Sequence, residues 1–173
     1  MKKKITIIGF GKLGLLHCCI SNIYKESEVV CIVEKNFLIR FFLKILFFSQ
    51  IKIYNNIKND IIKHSDAIII ATPPHSTPEI LKELVLNDYK GILLIEKPGF
   101  VSHKIFQDNL KYLKKIEYVQ FGFMYRFKPT FLYFKKFLMN KNNLGNLKKV
   151  DSYAFVNQPL VGSKNWRSNF QMS

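Results

Sequence analysis

The sequence predicts an α/β protein: a doubly wound parallel sheet, followed by the start of an incomplete α+β domain with an antiparallel sheet. Three observations carry this prediction. Short apolar strands alternate with helical patterns from Ile5 to Lys114, and such alternation has one economical solution, a parallel sheet with right-handed crossovers. Two of the runs, Ala67 to Ala71 and Ile92 to Ile95, are continuously apolar, as strands covered on both faces are. The first strand also runs into a turn in which Gly9, Gly11 and Gly14 fall at the spacing G-x-G-x-x-G.

Taken in order, Ile5, Ile7 and Ile8 make the first strand and Lys12 to Ile23 a helix. In the turn between them, Gly9 permits the tight bend, Gly11 lets a pyrophosphate approach the bare backbone, and Gly14 lets helix and strand pack closely. The helix would point its unpaired N–H groups and positive dipole end at phosphate oxygens. A second strand, Glu28 to Val33, ends in Glu34, about twenty residues past the last glycine, where a carboxylate accepts ribose hydroxyls; a solvated strand-end acid is the alternative. Asn36 to Phe48 is apolar around almost the whole helical circumference, with Asn36, Arg40 and Lys44 as a polar stripe. It is too short to cross a bilayer, so we expect a helix packed between the sheet and another layer or subunit, in preference to one lying on a membrane surface.

A short strand, Ile51 to Tyr54, and a polar helical turn, Ile57 to Lys63, come next. The Ala67 to Ala71 strand stops at Thr72-Pro73-Pro74, and Pro78 suits the first turn of a helix capped by Ser76 or Thr77, with Ile80, Leu81, Leu84 and Val85 inward. The Ile92 to Ile95 strand ends in Glu96-Lys97-Pro98-Gly99, before a helix from Ser102 to Lys114. Ligands of such sheets sit at the carboxyl ends of the strands, so one crevice would gather the Gly9 turn, Glu34, Thr72-Pro73 and Glu96-Lys97-Pro98. From Glu117 the texture changes: Tyr118 to Phe127 reads as a long aromatic strand, Pro129 to Asn140 as a helix and Leu147 to Val156 as another strand. The expected domains are therefore 1–117 and 118–173.

The 173 residues, 48% of them hydrophobic, suffice for a real core. The formal charge of +15 invites a nucleic-acid reading, but all but three of the 27 basic residues are lysine, scattered and without arginine forks for base edges. No specific nucleic-acid partner is expected, and the basic surface favours anionic ligands, cofactor phosphates among them. Cys18, Cys19 and Cys31 are odd in number and form no C-x-x-C pair, which indicates neither a metal site nor a disulfide framework and fits a reducing cytoplasm. The opening MKKKITIIGFG imitates a signal peptide, yet Lys12 interrupts it and no small-residue cleavage site follows. No transmembrane segment is expected.

G-F-G-K-L-G after the first strand, A-T-P-P after the fourth, E-K-P after the fifth, G-F-M-Y-R-F-x-P near the second domain and a late Trp166-Arg167 resemble, in order, the Gfo/Idh/MocA oxidoreductases, the glucose-fructose oxidoreductase and inositol dehydrogenase group. The resemblance implies an N-terminal Rossmann domain for NAD or NADP and a C-terminal domain with an open sheet that binds sugars or polyols and often builds oligomers. On this likeness Gly9, Phe10, Gly11, Lys12, Leu13 and Gly14 hold the pyrophosphate and Glu34 the adenosine ribose. Thr72 and Pro73 line the nicotinamide side with His75 and Glu96 beside them. Lys97 is the implied active-site residue, since its ammonium can hydrogen-bond the hydroxyl being oxidised and stabilise developing alkoxide charge. Tyr125 and Arg126 could reach substrate from the second domain. Glu34 favours NAD, because it repels a 2′-phosphate, although Lys35 and Arg40 lie close by in sequence.

Three features depart from the family pattern. Pro74 stands where an asparagine is usual; Thr77 stands where a histidine is usual, His75 being displaced by two and readable as a plain helix-start residue. The glycine-rich segment with an aspartate and a histidine that the family carries after the Trp-Arg region is missing, so the resemblance implies a shortened enzyme. Three functions are open at this point: an oxidoreductase of a sugar, nucleotide sugar or cyclitol; a catalytically inactive dinucleotide-binding remnant; and a basic protein of nucleic-acid or membrane surfaces. An incomplete second sheet would leave an apolar face and an open edge, for which poor solubility or obligatory self-association is the expected consequence.

Overall fold

The structure, a computed structural model, describes residues 1–47, 50–57, 59–140, 148, 149 and 151. The chain divides into two compact units, 1–123 and 124–173. The first unit alternates strand and helix throughout. Strand β1 (Lys3–Ile8) leads to helix α1 (Lys12–Ile23), β2 (Ser27–Val33) to α2 (Phe37–Phe47), and β3 (Lys52–Tyr54) to the short α3 (Asn59–Lys63). Strand β4 (Ala67–Ile70) passes through a 3-10 turn, Pro74–Ser76, into α4 (Thr77–Leu86); β5 (Ile92–Ile95), α5 (His103–Leu113) and β6 (Tyr118–Phe121) complete the unit.

The six strands lie in the order β3-β2-β1-β4-β5-β6, and each neighbouring pair is parallel. The chain order reverses direction across β1, which places a topological switch point between β1 and β4. Alternating side chains feed two apolar layers, as the period of a strand demands. Ile8, Ile68, Ile70, Leu93 and Ile95 join Leu81, Leu84 and Leu113 in one layer; Ile7, Ile32 and Ile69 join Cys18 and Leu43 in the other. The expectation that the Ala67 to Ala71 run is covered on both faces is met in this way, since Ile69 belongs to one layer and Ile68 and Ile70 to the other.

Four local differences from the sequence reading have physical reasons. The Tyr118 to Phe127 segment is not one long strand opening an antiparallel sheet: only Tyr118–Phe121 is extended, and it pairs in parallel with β5 as the sixth strand of the first sheet. The α5 crossover returns the chain to the same edge, as the β-α-β rule requires, and a 3-10 turn, Met124–Phe127, follows. Helix α4 has Ser76 at its N-cap, but no side-chain cap hydrogen bond forms there: as the last residue of the 3-10 turn Ser76 has helical φ and ψ, not the extended conformation from which a side chain caps. Helix α2 packs on the sheet through Leu43, with Ile39 and Phe47 beside it, while Phe37, Leu38, Phe41, Phe42, Ile45 and Leu46 are exposed. Its expected polar stripe turns back on the backbone: Asn36 Oδ1 accepts from Leu38 N and Ile39 N, and Arg40 donates to the carbonyls of Glu34 and Lys35.

In the second unit the described residues form the 3-10 turn Met124–Phe127, which carries Tyr125 and Arg126, and helix α6 (Pro129–Met139). The Lys128 ammonium lies 4.3 Å from the centroid of the Tyr125 ring. The expected strand Leu147 to Val156 and the Trp166-Arg167 pair lie outside the described residues.

Candidate dinucleotide site

Backbone hydrogen bonds hold the carboxyl ends of neighbouring strands in one row. Gly9 N donates to Val33 O at 2.8 Å, Ala71 N to Ile8 O at 2.8 Å, Glu96 N to Ile70 O at 2.9 Å and Gly122 N to Ile95 O at 2.8 Å. The Gly9 turn, Glu34, Thr72 and Glu96 therefore all follow the carboxyl ends of neighbouring strands, on one side of the sheet. His75 is exposed on the 3-10 turn after β4, and Lys97 is exposed just past β5.

The three glycines answer to three different constraints. Gly9 adopts φ +90, and a Cβ there would lie 2.7 Å from Thr72 Cγ2, so both backbone and space exclude a side chain. At Gly14 a Cβ would stand 2.1 Å from Gly9 O, which is why α1 can lie this close to the turn. Gly11 is different: among the described residues a Cβ built on it meets nothing within 4 Å, and its φ of -73 suits any residue. No contact among the described residues demands a glycine at this position. Gly11 is also the N-cap of α1 and offers no side-chain cap, so the first N–H groups of that helix keep their hydrogen-bonding capacity for an outside acceptor. Lys12 is exposed and Leu13 half-buried in this first turn.

Phe10 divides its roles. Its ring is buried in the layer beneath α1, edge-on to Phe47 with centroids 6.4 Å apart, while its N–H donates to Glu34 Oε2 at 2.7 Å. Glu34 Oε1 accepts from Asn36 N at 2.8 Å. These two bonds lock the carboxylate between the glycine turn and the end of β2, and an ionised carboxylate keeps further lone pairs for hydroxyl donors. On the other side of β1, Thr72 Oγ1 is buried without a hydrogen-bond partner among the described residues. A buried hydroxyl left unpaired is unfavourable by about 1–3 kcal/mol, so this atom has bonding capacity for a group from outside the chain.

A residue that the sequence reading passed over stands in the same row. His17, one turn along α1 from Gly14, places Nε2 2.8 Å from Glu96 Oε1, and Glu96 is only 7% exposed. Its signal was position, since Gly14, Cys18 and Ser21 form the buried stripe of α1 and His17 borders it. Beneath this helix, burial above all, with the neighbouring Cys19 second, pushes the Cys18 thiol up to about 11. Cys18 is thus an inert packing residue. Tyr125 and Arg126 belong to the second unit.

A parallel sheet in this strand order, with a glycine turn beside its switch point and a carboxylate at the end of β2, defines a dinucleotide-binding fold of the Rossmann class. Residues 3–122 match the oxidoreductase family with an NAD-binding Rossmann fold, GFO_IDH_MocA, and the chain belongs to that family. Among solved structures the fold resembles scyllo-inositol dehydrogenase from Lactobacillus casei with bound NAD(H) and scyllo-inositol, with a TM-score of 0.67 and 18% identity over 82% of this chain and 42% of that one. It also resembles myo-inositol 2-dehydrogenase from Lactobacillus plantarum, with a TM-score of 0.66 and 22% identity over 82% of this chain and 42% of that one. The WlbA dehydrogenase from Bordetella pertussis, in complex with NADH and UDP-GlcNAcA, gives a TM-score of 0.69 and 16% identity over 82% of this chain and 43% of that one. The chain spans less than half the length of these structures, and at such identities the likeness is one of fold. The sequence matches none of the curated proteins. No helix among the described residues is long and apolar enough to cross a membrane.

Proposed function

We propose that this chain is a nicotinamide-dependent oxidoreductase of a sugar, nucleotide sugar or cyclitol, with NAD favoured over NADP. The observation that carries the reading is the open ground at Gly11 in front of an uncapped helix start. The other members of the row fit the same group. Gly9, Gly11 and Gly14 with the N–H groups of Lys12 and Leu13 would take the pyrophosphate, Glu34 the adenosine ribose, and Thr72 and Pro73 the nicotinamide end, with His75 on the adjoining turn. A bound nicotinamide supplies the hydride acceptor.

The rest is work for the chain's own residues. Lys97 is exposed at the end of β5, and its ammonium would hydrogen-bond the substrate hydroxyl and stabilise alkoxide charge as it develops. Tyr125 and Arg126 are proposed to bind substrate from a second, substrate-binding domain that opens after the sheet. The NAD preference is supported by Glu34, whose carboxylate is fixed where a 2′-phosphate would be repelled. Of the two nearby cations that would blur this choice, Lys35 and Arg40, the guanidinium of Arg40 is engaged by the carbonyls of Glu34 and Lys35. The exposed apolar face of α2 supports a homo-oligomer, and three cysteines with no disulfide among them suit a reducing cytoplasm.

The test is turnover. With NAD⁺ and a panel of cyclitols, sugars and nucleotide sugars, reduced cofactor should accumulate with at least one substrate. Lys97→Ala should lower kcat by about a hundredfold while leaving cofactor affinity within about twofold. Activity that Lys97→Ala leaves untouched would remove Lys97 from the site.

A further inference from the structure

Resting on the reading of Lys97 as the group that meets substrate, we infer that His17 and Glu96 form a clamp that fixes the backbone of Lys97 against α1, the helix that follows the glycine turn. His17 is on this view a positioning residue. Three chain segments meet at the Glu96 carboxylate. From α1, His17 Nε2 lies 2.8 Å from Oε1; a carboxylate only accepts, so this nitrogen carries the hydrogen. From the loop after β5, Lys97 N donates to Oε2 at 3.2 Å. From the end of β6, Gly122 passes so close that a Cβ on it would lie 2.9 Å from Cδ and from both oxygens. A carboxylate that is 7% exposed needs such partners, because burying it unpaired would be strongly unfavourable.

The arrangement constrains the lysine through its main chain. The Lys97 side chain is exposed, so its direction depends on how the backbone beneath it is held. Behind it, Glu96 N is anchored to Ile70 O at 2.9 Å. Ahead of it, Gly99 lies against the Phe121 ring, where a Cβ would come within 2.4 Å of the ring edge. Between these anchors the Lys97 amide has the Glu96 oxygen, and Glu96 has His17. His17 is three residues beyond Gly14, and Gly14 is fixed by its approach to Gly9 O. One helical turn thus links the phosphate end of the site to the lysine, and the order gained when a dinucleotide settles on α1 reaches Lys97 through this pair.

Amide hydrogen exchange on the full chain tests the clamp without needing turnover. In His17→Ala the amides of Lys97, Gly99 and Phe100 should exchange about tenfold faster, as the loss of a hydrogen bond to a charged group implies, with β1 and β4 unchanged. His17→Gln, which offers an amide N–H at a similar reach, should restore them to within about threefold. Saturating NADH should slow these amides in the unsubstituted chain and in His17→Gln, but not in His17→Ala. Unchanged exchange in His17→Ala, or a glutamine variant as fast as the alanine one, would overturn the clamp. If His17→Ala does not fold, Glu96→Gln replaces it: local exchange that rises by about threefold or more supports the clamp, and unchanged exchange overturns it. Failure of NADH to bind the unsubstituted chain would instead remove the cofactor reading, and the ligand-free comparison of the alanine and glutamine variants would still decide the clamp.

Discussion

Gly11→Ala separates a glycine that a ligand requires from one that the fold requires. Among the described residues the methyl group meets nothing within 4 Å, and the backbone at φ -73 accepts it without strain. Two small terms act on stability: alanine is a poorer N-cap than glycine, and it lowers the entropy of the unfolded chain by about 0.4–1 kcal/mol. They oppose one another, so the net change should stay within about 0.5 kcal/mol, too little for a clear shift in Tm. Binding should respond differently, because the methyl occupies the ground over which the pyrophosphate would approach. Forcing a methyl into a packed contact is unfavourable by about 1–3 kcal/mol, equivalent to a Kd raised roughly 5- to 150-fold. The assay is a paired one, a thermal melt and an NADH fluorescence titration on the same preparation. An alanine variant that binds NADH as well as the unsubstituted chain, or that melts well below it, would refute the reasoning.

Other substitutions follow from the same geometry. Gly14→Ala drives a Cβ to 2.1 Å from Gly9 O, so it should destabilise the fold by about 3 kcal/mol and lower Tm by roughly 10 °C, read in a thermal melt. Thr72→Val removes a buried hydroxyl that has no partner; it should raise stability by up to about 1 kcal/mol in a denaturant titration while weakening NADH binding by about fivefold. At pH 8 a thiol reagent should modify the exposed Cys19 at once and Cys18 only slowly, mass spectrometry identifying the sites. The sign of the pH effect follows from a raised value: the stability gained by keeping the Cys18 thiol neutral is complete below its ordinary value of 9.0 and is lost as pH climbs through about 11. Subtracting the melts of Cys18→Ala from those of the unsubstituted chain across that window isolates the effect.

The parts of the molecule that sequence pattern reveals are those where local chemistry and fold agree. Helix α1 spans Lys12–Ile23 as the pattern predicts, because the glycine turn sets its start and its buried stripe its length. The buried strands β4 and β5 are equally legible from unbroken apolar runs between turn residues. Strand β6 is less legible, because its aromatic run continues past Phe121 into a segment that is not extended. The α5 crossover before it is the kind of connection that a parallel partner for β5 needs, and Gly122 follows the strand where the Glu96 carboxylate needs room. In the site, the glycines and Glu34 declare themselves by spacing. The partners of Glu34 do not, since Phe10 N and Asn36 N are backbone groups without a sequence signature. The pairing of His17 with Glu96 joins residues 79 apart in sequence, a distance at which only the folded sheet makes them neighbours.

The most direct measurement of the central claim is calorimetric titration of the folded chain with NADH, with NADPH as comparison. Expected is saturable binding at one site per chain, displaced by NAD⁺, and weaker for NADPH, as the proposed role of Glu34 at the adenosine ribose implies. A chain that melts cooperatively yet takes up neither dinucleotide at millimolar concentration would contradict the assignment of the glycine turn as a dinucleotide site.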